Sequence, residues 1–308
     1  MQITTPSPKI AVLMATYNGI DWLQDQIYSI LSQEFVSITL FISDDGSSDG
    51  TREYIERLSL LDRRIILLPQ SRPTGSAGRN FYRLILDVDI NSFDFVAFSD
   101  QDDIWNLDKL SYQLNLIKIS GADAVSSNVI AFWKNGTEQL INKSQDQKKY
   151  DFIFESAGPG SSFLLKPWVV KCVRDLLINE ESKASLVELH DWLIYATARS
   201  HRANWIIASK PLLKYRQHQS NVMGANIGFF AKYKRFLNVK RGWYRAEIIK
   251  ISQVCALISS DPKIKLINYL VSHDNFLNNL KLIHFAREAR RSFFDSLGLI
   301  IILITCSF

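Results

Sequence analysis

The chain has 308 residues, 47% apolar and 22% charged, with a net charge of +5. That length buries a full core with room for an appendage, and the ordinary balance of apolar and charged residues excludes a disordered or fibrous polymer. Cys172, Cys255 and Cys306 are odd in number and far apart, which argues against a disulfide framework or zinc knuckle and suits a reducing compartment.

The charge is uneven. From Gly228 onward there are 13 Lys/Arg against 5 Asp/Glu, a balance of +8, which leaves about −3 for the first 227 residues. "MQITTPSPKI" has neither a basic start nor an apolar segment, so no secretory signal is expected, and the sequons at Asn135 and Asn142 carry no weight. The longest apolar run, "LGLIIILIT" at 297–305, falls well short of the ~20 residues of a spanning helix.

In chain order, "IAVLMAT" (10–16) predicts a buried strand. "WLQDQIYSILSQ" (22–33) predicts a helix, with Leu23, Ile27, Ile30 and Leu31 at helical spacing. "ITLFIS" (38–43), "RIILLP" (64–69) and "FDFVAFSD" (93–100) predict further strands, and "REYIERLS" and "GSAGRNFYRLILDV" predict the helices between them. This alternation predicts an α/β architecture, a parallel sheet with helices on both faces. Ligands of such sheets bind beyond the carboxyl ends of the strands. "TYNG", "SDDGSSDGT" and "SDQDD" each follow a predicted strand, so they line one crevice.

After about residue 120 the signals are mixed. "ADAVSSNVIAFW" reads as one strand, "KNGTEQLINKSQDQKKYD" as a polar loop and "GPGSSFLL" as a turn entering a strand. "KPWVVKCVRDLLI" reads as a helix with Pro167 in its first turn, and "ELHDWLIYATARS" as another. "NWIIAS" reads as a strand, "LLKYRQHQSN" as a strand end or loop, and the chain from about 226 as basic helices.

Three carboxylates stand within four positions at Asp100, Asp102 and Asp103, where mutual repulsion costs stability unless a cation, proton or solvent intervenes. Asp100 and Asp102 are spaced to point the same way off extended backbone and suit Mg²⁺ or Mn²⁺; the alternative is an acidic turn with Asp103 at the start of an "IWNLDKL" helix. Asp45 either accepts hydrogen bonds from a nucleobase or ribose or belongs to an ordinary capping turn. Arg79 either meets an anionic or base group or begins a solvated helix; no GKS or GKT follows to make a phosphate loop. Asp191, among apolar neighbours in "LHDW", is a general base of raised proton affinity or a helix-surface acid. His218 is a metal or phosphate ligand only if the acidic turn holds a metal. "GPGSSF" has Phe163 where a dinucleotide fingerprint needs its third glycine.

Taken in order, "ATYNG", "SDDGSSDGT", "GSAGRN", "SDQDDIW", "GPGSSF", "LHDW" and "QHQSN" resemble the family-2 inverting glycosyltransferases over roughly residues 8–225. "DQDDIW", "LHDW" and "QHQSNVMG" are most similar to its bacterial rhamnosyltransferase-like members, which build surface polysaccharides such as O-antigen or capsule. The resemblance implies a GT-A fold over residues 1–225, with a nucleotide-sugar half at 8–120 and an acceptor half at 121–225. Residues 226–308 are expected to be a basic helical extension. By position, Thr16, Tyr17, Asn18 and Asp45 border the nucleoside and Arg79 the base. The resemblance further implies that Asp100 and Asp102, with His218, hold a divalent cation (Mg²⁺ or Mn²⁺) on the diphosphate and that Asp191 is the catalytic base. His190 stands where many members carry Glu.

The donor implied is dTDP-rhamnose or a UDP-sugar, and the acceptor a lipid-linked glycan. The aromatic and basic tail suits either an anionic membrane surface at the inner face of the cytoplasmic membrane or a helical bundle with a solvated basic face. No nucleic-acid partner is expected. The alternatives are a sugar-phosphate nucleotidyltransferase, disfavoured because "TYNGIDW" lacks that class's Gly-rich basic loop, or an inactive membrane scaffold.

Overall fold

A computed structural model describes residues 7–218 and 242–305. β1 (Lys9–Thr16) is buried at every position after Lys9, as a strand covered on both faces must be. It lies between β2 (Ser37–Asp44) and β4 (Phe95–Ser99), parallel to both, and β3 (Ile65–Leu67) extends the sheet beyond β2. The strand's two-residue period sorts its side chains into two cores. Ile10, Val12 and Met14 pack with Leu23, Ile27 and Ile30 of α1 (Ile20–Leu31) and with Ile55 of α2 (Thr51–Leu61). Ala11, Leu13 and Ala15 pack with Phe81, Leu84 and Ile85 of α3 (Ala77–Asp87).

The other half of the sheet departs from the sequence expectation. The predicted single strand over "ADAVSSNVIAFW" is broken at Asn128 into β6 (Ala124–Ser127) and β7 (Val129–Trp133), which belong to different sheets. Asn128 is the pin: its Oδ1 accepts from the amides of Lys143 and Ser144 at 2.6 and 3.0 Å, and its Nδ2 donates to Ser209 O at 2.9 Å. β9 (Leu164–Leu165) is an antiparallel wedge between β4 and β6, and β10 (Trp205–Ala208) runs parallel to β6. The seven-stranded order is β10-β6-β9-β4-β1-β2-β3.

A second sheet has the order β5-β11-β7-β8, with β5 (Ile104–Trp105), β8 (Glu138–Ile141) and β11 (Leu213–Gln217). The segment after "SDQDD" therefore begins as a short strand, and α4 (Lys109–Ser120) starts only after it. β8 forms a hairpin with β7 inside the segment expected to be a polar loop, turning at Gly136 with φ 83°.

α5 (Asp151–Phe154), α6 (Pro167–Ile178) and α7 (His190–Ser200) cover the sheet on the α3 side. The C-terminal residues form α8 (Trp243–Ile258), α9 (Pro262–Ser272), α10 (Phe276–Ile283), α11 (Ala286–Ala289) and α12 (Phe293–Ile304). They share the core that holds Leu13 and Phe81, contributing Ile248, Ile251, Cys255, Ile267 and Leu299 among others. Fully buried Arg291 bonds Asp151 at 3.0 Å and Glu155 at 3.2 Å, locking these helices to α5. Most of the basic stretch "FFAKYKRFLNVKRGWYRAEIIK", the Gln219-to-Gly224 part of "QHQSNVMG", the 225/226 boundary and Cys306 lie outside the described residues.

Candidate active site

The carboxyl ends of β1, β2 and β4 meet at one rim, with Thr16 opposite Asp44 and Met14 opposite Ser99. Asp44 caps that rim: its carboxylate accepts from Thr16 Oγ1 at 3.0 Å and from the amides of Gly46 and Ser47 at 3.2 and 3.0 Å. Asp49 likewise accepts from the amides of Thr51 and Ile20. Asn18 takes a left-handed turn, φ 47°, and its Oδ1 accepts from Ser48 N at 2.8 Å. Gln101 clamps the backbone of Tyr17 with two 2.9 Å bonds, leaving the phenol ring exposed.

Asp45 is buried, and its two oxygens accept from Thr74 N at 2.5 Å and Gly75 N at 3.0 Å. It therefore borders the rim by holding the 74–75 backbone against it. Arg79 is exposed at the start of α3 and lines a hollow with Tyr82 and Leu186 whose walls do not include Asp100, Asp102 or Asp191. Asn80, next in sequence, ties the rim together, its Nδ2 donating to Ser43 O at 2.8 Å.

The opening carboxylates converge. Asp100 is raised to about 8 by burial and then by the charges of Asp102 and Asp191. Asp103 is fully buried and held well above the usual range, first by burial and then by Asp102 and Asp100. It does not cap a helix as the sequence alternative had it: its Oδ1 accepts from Arg216 N at 3.2 Å. The antiparallel pairing of β5 with β11 makes that contact, and the same pairing delivers His218. His218 Nε2 lies 2.6 Å from Asp102 Oδ2, and its ring stacks on Trp22 at 4.1 Å with a 15° tilt.

Two further residues carried no sequence signal. Tyr215 of β11 feels all four carboxylates: burial, then Asp100, Asp103, Asp102 and Asp191, hold its phenol well above 10. Lys109 is fully buried, its Nζ without a hydrogen-bond partner among the described residues and 3.6 Å above the Trp105 ring; burial lowers its pKa against the opposing pull of Asp103. A tyrosine in a short ambiguous strand and a lysine at a helix start have no spacing that marks them.

Asp191 sits in the first turn of α7 and is raised to about 6 by burial, against the lowering effect of the Trp192 amide, the Ser156 hydroxyl and the Lys143 charge. It is a carboxylate at neutral pH, yet more basic than a solvated one. Its neighbour His190 is buried against Phe81, ring centroids 3.7 Å apart, and burial lowers it to about 3. A neutral imidazole thus replaces a second charge next to the base. Gly160 makes room for it, since a Cβ there would come within 2.4 Å of His190 Nε2.

Among the described residues no three His, Cys, Asp or Glu side chains form a group able by itself to hold a metal ion. The set present still fits a hard divalent ion in part. Asp102 and His218 are in contact, and the burial that raises Asp100, with the added repulsion of Asp102 and Asp191, is of the kind a cation relieves. Mg²⁺ typically takes one or two carboxylates and completes its shell with substrate phosphates.

Residues 11–162 match the family described as Glycosyl transferase family 2. The chain is 44% identical to the dTDP-rhamnosyl transferase RfbG of Shigella flexneri over 244 residues, 79% of this chain and 84% of that one. It is 34% identical over 135 residues to the UDP-Glc:alpha-D-GlcNAc-diphosphoundecaprenol beta-1,3-glucosyltransferase WfgD of Escherichia coli, 44% of this chain and 48% of that one. Among solved structures, S. aureus TarS 1-349 in complex with UDP-GlcNAc superposes with a TM-score of 0.53 at 13% identity, over 97% of this chain and 90% of that one. At that identity the likeness bears on the GT-A fold alone.

Proposed function

The chain belongs to glycosyl transferase family 2, and from that premise we propose that it moves L-rhamnose from dTDP-rhamnose onto a lipid-linked glycan, inverting the anomeric carbon, during bacterial surface polysaccharide synthesis. The observation that carries the chemistry is the acidic cluster that follows β4, where Asp102 meets His218 at 2.6 Å and Asp100 lies within electrostatic reach of Asp102 and Asp191. The 44% identical rhamnosyl transferase supports the choice of donor.

The rim formed by Thr16, Tyr17 and Asn18, with the loop that Asp45 holds, borders the nucleoside, and exposed Arg79 lies toward the base. Asp191 takes the proton from the acceptor hydroxyl as its oxygen attacks the anomeric carbon. The bond from that carbon to the diphosphate oxygen breaks on the opposite side, and its electron pair leaves with dTDP. One base and no enzyme nucleophile are required. A Mg²⁺ or Mn²⁺ held by Asp100, Asp102 and His218 would neutralise the charge growing on the departing diphosphate. The acceptor's lipid anchor puts the reaction at the inner face of the cytoplasmic membrane. Among the described residues no helix is long and apolar enough to cross it.

The test is release of nucleoside diphosphate from a panel of dTDP- and UDP-sugars in the presence of Mg²⁺ or Mn²⁺. Preferential turnover of dTDP-rhamnose supports the proposal. Turnover of UDP-sugars alone overturns the donor, and nucleotidyl exchange without sugar transfer overturns the reaction.

A further inference from the structure

Helix α10 anchors Leu282 in the core, yet much of its apolar surface faces outward. Its Asn278 and Asn279 are 7% and 0% exposed, while Leu277 and Leu280 face outward at 67% and 37%. The buried amides are satisfied: Asn278 Nδ2 donates to His273 O at 2.8 Å, and Asn279 Oδ1 accepts from Arg245 at 3.3 Å. A helix facing only water shows the opposite pattern, apolar stripe inward and polar stripe outward. α12 packs beside it. Leu299 and Leu303 point into the core, yet Phe293, Phe294, Leu297 and Ile301 are between 45% and 80% exposed. Side by side, the two helices offer one apolar surface.

The charges around that surface choose its occupant. Asp274 and Asp295 are neutralised by Arg245 at 3.0 Å and Arg290 at 3.3 Å. Lys281, one turn after Leu277, and Arg287 of α11 are exposed. A two-fold dimer through this face would set Lys281 and Arg287 against the same exposed cations of its copy, which repels. An anionic lipid surface complements it.

We propose that the α10–α12 face docks this chain on an anionic bilayer, with Phe293 and Phe294 entering the boundary between headgroups and acyl chains. The proposal deepens the lipid-linked-acceptor reading by naming the surface that meets the membrane, and it is tested apart from sugar transfer. The experiment is flotation of the full chain with phosphatidylethanolamine vesicles with and without phosphatidylglycerol. Two exposed-site variants accompany it, Phe293→Asp/Phe294→Asp and Lys281→Gln/Arg287→Gln, with circular dichroism and donor turnover as controls for folding.

The wild type floats with the anionic vesicles. Each neutralised basic side chain weakens partition about fivefold, roughly 25-fold for the pair, and the double aspartate variant stays at the bottom of the gradient. Wild-type protein that ignores anionic vesicles, or variants that float as it does, overturns the proposal. So does a wild-type dimer in sedimentation equilibrium that Phe293→Asp/Phe294→Asp converts to monomer, because a second copy then covers the face. Inactive wild-type protein that still floats would sink the transferase reading and leave docking standing.

Discussion

Replacing Asp191 by Asn should move activity and stability in opposite directions. Burial pushes the carboxyl up to about 6 in the fold, against an ordinary aspartate value of 3.8. Between those values the native state holds a proton that the unfolded chain has shed, so stability falls as pH rises through the window, and the whole deficit is present above about 6. Two pH units correspond to about 3 kcal/mol, or some 4–5 °C in Tm for a chain of this size. Asn keeps an oxygen for the Trp192 amide, which donates to Asp191 Oδ1 at 2.8 Å, but carries no charge. Asp191→Asn is therefore expected to melt above the wild type at pH 7.5 and to match it near pH 3.5. Its transfer rate should drop about 10²- to 10⁴-fold, the usual contribution of a general base. Thermal melts at both pH values and dTDP release decide the matter. A variant that melts like the wild type at pH 7.5, or transfers sugar at an undiminished rate, refutes the account of this residue. In the wild type, kcat/KM should fall as pH drops below about 6.

Asp102→Asn removes the partner of His218 Nε2 and one hard oxygen from the rim; metal-stimulated dTDP release should fall about a hundredfold or more, and unchanged stimulation would remove Asp102 from the metal assignment. Gly160→Ala drives a methyl to within 2.4 Å of His190 Nε2. Overpacking of about 1–3 kcal/mol follows, with kcat reduced and donor KM retained because the displaced ring adjoins Asp191; kinetics identical to wild type would mean the ring moves without consequence. Asp151→Ala leaves buried Arg291 without its 3.0 Å partner; a loss of about 3–5 kcal/mol in denaturant unfolding is expected, and a loss under 1 kcal/mol would show that the clamp between α5 and the C-terminal helices is not structural.

The sequence was readable where one element explains itself. Unbroken apolar residues marked β1, and the acidic turn after β4 and the lone acid in "LHDW" marked Asp100, Asp102 and Asp191, which the fold brings within mutual electrostatic reach. What depends on pairing between distant segments was hidden. β5 is two residues long, too short for any periodicity, yet its pairing with β11 sets His218 against Asp102 and Arg216 against Asp103. The break at Asn128 is decided by amides at 143 and 144, which local propensity in 122–133 does not contain. Asp45 was legible as a rim residue, but its bonds to Thr74 and Gly75 depend on a loop some thirty positions on. Lys109 and Tyr215 look like surface polars until the fold buries the first and half-buries the second within reach of carboxylates.

Single displacement by one carboxylate base is the claim on which the chemistry rests, and the configuration of the product reports it directly. Proton NMR of the linkage made from dTDP-rhamnose should show an anomeric configuration opposite to the donor's. A rhamnoside that keeps the donor's configuration would contradict it, because retention demands a second displacement for which Asp191 alone does not provide.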